Sequence, residues 1–114
     1  MIVVNLALAS ICFSGTCYPA LVGANTPVGM FSLSQQQIQT VGYGGDILVY
    51  KENQHYLWAI HRVYTLNPKE RRVERLTANH VAQRRDITNG CINVMPEVYQ
   101  KLVDCCSKDV LIIN

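Results

Sequence analysis

The sequence predicts a mainly β protein of the β-rich α+β class, with one or two short helices. Three observations carry this. Apolar residues alternate along IVVNLALASICF, and β-branched and aromatic residues crowd into DILVYKEN and HYLWAIHRVYTL. Short clusters of Gly, Pro, Asn and Ser separate such runs. Only PEVYQKLVDCC carries a clear helix start, with Pro96 at its first position. With 114 residues, 49% apolar and 16% charged, residues 1–114 are expected to form one domain with a buried core.

Taken in order, residues 2–13 read as a strand, and Ser14-Gly15-Thr16 as the turn of a hairpin leading into TCYPALVG. The apolar start lacks the positive segment of a secretion signal and reads as structure, so any signal is expected to precede Met1. TPVGMFSL opens on a Pro/Gly turn and runs into a strand. SQQQIQTV is expected to be a short helix capped by Ser34, and GYGGD a loop. DILVYKEN and HYLWAIHRVYTL are the clearest strands, joined at Asn53-Gln54. The polar stretch 67–86 is expected to be part helix, part loop. ITNGCINV follows as a turn between short extended pieces, and DVLIIN as a last strand after the helix.

Charge excludes little but decides some matters. A net charge of +2 gives no footprint for nucleic acid, and the alternating charges of KERRVERL read as a solvated face. No apolar run approaches the roughly 20 residues of a membrane span. Five cysteines leave one thiol over if the rest pair. Adjacent Cys105 and Cys106 are expected not to bridge each other, so disulfides would involve Cys12 or Cys17, with Cys91 the odd thiol. No metal site and no cofactor is expected.

Cys91 stands out because its neighbours Thr88, Asn89, Gly90 and Asn93 are polar, whereas structural cysteines sit among apolar residues. A cysteine nucleophile needs a base and donors for the oxyanion it creates. A nearby imidazolium would lower the thiol pKa, and His55, His61 and His80 are available. His61, at a strand end that fixes a side chain, is the candidate base; His80 lies in a polar loop. Gly90 permits close backbone approach, and the amides of Gly90 and Cys91 are candidate oxyanion donors.

TPVGMF, AIH and TNGCIN, in that order and followed by a helix, resemble the catalytic domain of the L,D-transpeptidases, the YkuD family. The resemblance spans nearly the whole chain and implies a YkuD-like β-sandwich or barrel, with a helix after the nucleophile turn. It further implies a cell-wall enzyme of the periplasm or envelope, acting on peptidoglycan peptide stems. Cys91 matches the nucleophile, His61 its base, and Gly90 with the Cys91 amide the oxyanion donors. Thr88 matches a hydroxyl position of the motif, and Asn89, Asn93, Arg84 and Arg85 are candidates for holding the stem, the arginines through its carboxylates. The thioester would pass its peptide to an amine, giving cross-linking or D-amino-acid exchange, or to water, giving carboxypeptidase activity.

Two features depart from the family pattern. Asn89 stands where the family carries a second histidine, and it cannot titrate. His61 and Cys91 are 30 positions apart, longer than in many members, with 67–86 as the inserted stretch and a candidate lid. Arg71, Arg72 and Arg75 read as surface charges, and Tyr43, Trp58 and Tyr64 as packing residues. An antibacterial toxin or effector of the same family, and a non-catalytic wall-binding module, are the alternatives.

Overall fold

The computed structural model describes residues 1–39 and 43–114. The protein is β-rich, with two mixed sheets and two short helices. The strands are β1 (Ile2–Asn5), β2 (Ser10–Phe13), β3 (Thr16–Pro19), β4 (Gly29–Ser32), β5 (Ser34–Gln37), β6 (Asp46–Glu52), β7 (Leu57–Arg62), β8 (Ile92–Val94) and β9 (Val110–Ile113). Helix α1 is Arg72–Thr77 and α2 is Pro96–Cys106, with 3-10 turns at Pro68–Glu70 and Val81–Arg84. One sheet runs β3-β2-β1-β9-β4 and the other β5-β6-β7-β8. The β1–β9 and β7–β8 pairs are parallel and the rest antiparallel.

The alternating side chains Ile2, Val4, Ile11 and Phe13 of the first sheet enter one apolar cluster with Leu48, Ile60, Ile92 and Val94 of the second. Val98, Tyr99, Leu102 and Cys106 recur at helical spacing and lay one face of α2 on the same cluster. In β6, Ile47 to Tyr50 are all buried because the second sheet is covered on both faces. Its far face holds Ile47, Val49 and Ala59 with Cys91 against them. That far face carries the candidate site.

Three expectations need correction. The strand read over 2–13 is two strands, because Asn5 Oδ1 accepts from the Leu8 amide at 3.0 Å and turns the chain, with Ala9 at φ 48°. Helix over SQQQIQTV is replaced by β5, whose Ser34 to Gln37 pair with Val49 to Asp46 of β6; tertiary pairing overrides the local preference. Ser34 is therefore a strand residue, and Thr40 and Val41 lie outside the described residues, as does Gly42 of GYGGD. Finally, Cys105 and Cys106 do bridge each other. Cys12 and Cys17 face each other across the β2–β3 hairpin and form their own disulfide, which leaves the two helix-end cysteines no other partner than Cys91 on the opposite side of the core. Cys91 is the free thiol.

Elsewhere the elements match the reading. Ser14 and Gly15, at φ 50° and 78°, make the tight hairpin turn. Residues 67–86 fold as a 3-10 turn, α1 and a second 3-10 turn. Leu76 of α1 packs on Leu21 and Val63, so this stretch is fixed as a wall. Among the described residues no helix is long and apolar enough to cross a membrane.

Candidate active site

The turn that carries Cys91 is held by a set of hydrogen bonds. The Gly90 carbonyl accepts from Thr26 Oγ1 at 3.0 Å and from the Tyr50 hydroxyl at 2.9 Å. Thr26 Oγ1 accepts in turn from the Gly23 amide, so TPVGMF contributes the anchor of the turn. Thr88 Oγ1 accepts from the Gly90 amide at 3.2 Å and donates to the Cys91 carbonyl at 2.6 Å. Gly90 sits at φ +125°, and a Cβ there would meet the Trp58 ring at 2.7 Å. Only glycine satisfies both conditions. The Gly90 amide, expected as an oxyanion donor, is therefore engaged by Thr88.

His61 is placed by strand pairing. β7 and β8 run parallel with His61 opposite Asn93, so the two side chains emerge side by side on the far face. His61 is 2% exposed; its Nδ1 lies 2.6 Å from the Arg62 carbonyl and is thus the protonated nitrogen. Nε2 is left as the acceptor and receives Asn93 Nδ2 at 3.3 Å. Asn93, fully buried, uses its oxygen to accept from Arg72 Nη1 at 2.9 Å and from the Tyr64 amide at 3.4 Å. The Tyr43 ring meets the imidazole edge to face at 4.5 Å.

Burial lowers the His61 pKa to about 4, with the Arg72 charge pushing the same way and the bond to the Arg62 carbonyl opposing. Burial raises the Cys91 thiol, against a hydrogen bond from the Ala59 amide and the Arg72 charge. The thiol points to the Leu57 carbonyl at 3.8 Å. The expected thiolate–imidazolium pair is thus replaced by a neutral thiol and a neutral imidazole, because both are desolvated. They nonetheless face one cleft of about 310 Å³, lined by Tyr43, His61, Tyr64, Arg72, Thr88, Asn89, Cys91 and Asn93.

The cleft brings together Cys91, His61, Thr88, Asn89 and Asn93 and leaves out both arginines expected there. Arg84 is buried, and its guanidinium donates to the carbonyls of Ala9 (3.2 Å), Leu8 (3.1 Å) and Ala78 (3.2 Å), which ties α1's end to the β1–β2 turn. Arg85 is exposed and does not line the cleft. His80 is likewise exposed and outside it. Arg72 takes the place of both arginines, lying over the Tyr64 ring at 5.3 Å. Its signal in the sequence is slight: Leu76, four residues on and buried, shares its helix face. Tyr43 and Tyr64 line the cleft, while Trp58 packs beneath Gly90. Among the described residues no group of three or more His, Cys, Asp or Glu could hold a metal ion.

Two β-sheets carry a free cysteine and a buried histidine on one cleft, and similar solved structures specify the fold. The chain has the fold of the L,D-transpeptidases. An L,D-transpeptidase from Mycobacterium smegmatis matches with a TM-score of 0.61 and 16% identity over 99% of this chain and 57% of that one. The L,D-transpeptidase from Xylanimonas cellulosilytica gives 0.60 and 13%, over 99% and 59%. L,D-transpeptidase 1 from Mycobacterium tuberculosis gives 0.54 and 15%, over 99% and 60%. The chain thus spans less than two thirds of the length of each. No family profile and no curated protein matches the sequence.

Proposed function

We propose that residues 1–114 form the catalytic domain of a peptidoglycan L,D-transpeptidase that works through a Cys91 acyl-enzyme. The observation that carries this reading is the placing of Cys91 and His61 on one cleft of a transpeptidase fold, with Asn93 beside the imidazole. Cys91 lies two residues before Asn93, so it is diagonal to His61. On ideal strands this puts their Cβ atoms about 8 Å apart, a gap that the two side chains close when turned towards each other. In this reading the thiol leaves the Leu57 carbonyl, the Asn93 amide releases His61 Nε2, and that nitrogen takes the thiol proton as the sulfur attacks the carbonyl of the third stem residue.

The tetrahedral intermediate collapses by expelling the amine of the terminal D-alanine, which takes the proton back from His61. An acceptor amine, or water, then loses a proton to the same nitrogen, attacks the thioester and releases the thiol reprotonated. Since Thr88 engages the Gly90 amide, the oxyanion falls to the Cys91 amide. An imidazole that is neutral near pH 7 suits a general base. Peptide stems as partner and an envelope location follow from this reading.

The test is incubation of purified muropeptides with wild type and Cys91→Ala, followed by mass analysis. Wild type is expected to release D-alanine from tetrapeptide stems and the variant none; untouched stems with folded wild type overturn the reading. The thiol's contact with Leu57 and the presence of Asn89 favour a second reading, a wall-binding module without activity. A carbapenem adduct on Cys91 speaks against it, and an unmodified protein that binds sacculi supports it.

A further inference from the structure

The cleft holds one formal charge among its lining residues at neutral pH, the guanidinium of Arg72, since His61 there is neutral. Its side chain is 13% exposed. Of the five N–H donors of an arginine, two have partners: Nη1 donates to Asn93 and Nη2 to Glu70 Oε2 at 3.1 Å. Nε is buried without a partner. Tyr64 stacks beneath the plane and Asn93 fixes one corner, so the group is held flat and in one orientation. An arginine held this way has the fork geometry that grips a carboxylate through two parallel bonds.

We propose that Arg72 is the carboxylate-binding residue of the cleft and selects donor peptides that present an anionic oxygen pair beside Cys91. This deepens the transpeptidase reading and rests on it. The guanidinium donates to Asn93, the residue that holds His61, so a carboxylate seated on it shares the cleft with Cys91. Glu70 is the intramolecular competitor: its carboxylate already occupies Nη2 from outside the cleft. A stem offers two sources of carboxylate, its C-terminus and its side chains, and both have the required chemistry.

The test is equilibrium binding to the inert Cys91→Ala protein of three tetrapeptides: the free acid, the C-terminal carboxamide, and the peptide with its other carboxylates amidated. The free acid is expected to bind about tenfold more tightly than one of the amides, the loss for a charge-assisted contact, and which amide loses identifies the source. Adding Arg72→Gln should erase that difference, and Arg72→Lys should keep part of it. Glu70→Gln should tighten the free acid while leaving the discriminated amide unchanged, and it tests the inference if Arg72→Gln does not fold. Equal affinity for acid and both amides, no binding of any peptide, or a preference that survives Arg72→Gln overturns it. Failure of D-alanine release by wild type that still shows the acid preference would instead overturn the catalytic reading alone.

Discussion

His61 Nε2 accepts from Asn93 Nδ2 at 3.3 Å, and the same asparagine takes Arg72 and the Tyr64 amide on its oxygen. One amide thereby fixes the orientation of the imidazole and the position of the cleft's charge. Truncation by Asn93→Ala removes partners from the buried His61 and the half-buried Arg72 and Tyr64 at once, and each unsatisfied buried group costs roughly 1–3 kcal/mol. We expect a lower denaturant midpoint and a loss of D-alanine release larger than the change in stability explains, measured by chemical unfolding and product analysis.

Acid should weaken the protein through His61. Its folded pKa of about 4 lies below the usual 6.5, so the unfolded chain takes up a proton that the folded chain resists. This contribution is fully present above about pH 6.5 and is lost as pH falls towards 4, amounting to roughly 3 kcal/mol. Urea unfolding of wild type and His61→Gln between pH 7 and pH 4 checks it, and the variant should lose less over that window. The acid limb of activity should fall near pH 4.

Alkylation of Cys91 distinguishes a neutral thiol from an ion pair. With its pKa raised by burial, Cys91 should react with iodoacetamide more slowly at pH 7 than a free cysteine peptide, and faster as pH climbs past 9. His61→Gln should change that rate little. Rapid, pH-independent alkylation between pH 5 and 8 would contradict the neutral resting state.

Two glycines are required for contact reasons. A Cβ on Gly23 would lie 1.9 Å from the Thr88 carbonyl oxygen, a backbone atom that cannot step aside. Gly23→Ala should unfold the region around the turn that carries Cys91. Gly90→Ala combines its φ of +125° with contact to Trp58. The conformational part alone costs on the order of 1–3 kcal/mol, readable as a drop in thermal midpoint.

How far the sequence told all this depends on the range of each interaction. The thiol at the TNGC turn, His61 at a strand end, and the helix opened by Pro96 all rest on local signals, and each stands where those signals put it. Strand β5 was illegible because its glutamines carry no apolar alternation; only pairing with β6 makes it a strand. Arg72, expected on the surface, lines the cleft, and Arg84, expected in the cleft, is buried elsewhere, because their partners are distant in the chain. Arg72 meets Asn93 across 21 positions, and Arg84 meets Leu8 and Ala9 across more than 70. The low pKa of His61 follows first from burial, which no motif encodes.

Because β7 and β8 run in the same direction as neighbours, the chain between them must travel back along the sheet before β8 can begin. His61 and Asn93 are clamped by the sheet itself, whereas the return journey, residues 63–91, reaches the cleft through Tyr64, Arg72, Thr88, Asn89 and Cys91. The sheet thus holds one wall of the cleft and the return segment supplies the other, Cys91 at its very end included. Exchanging only its earlier part, residues 63–86, offers a way to reshape the rim of the cleft while His61, Cys91 and Asn93 keep their places.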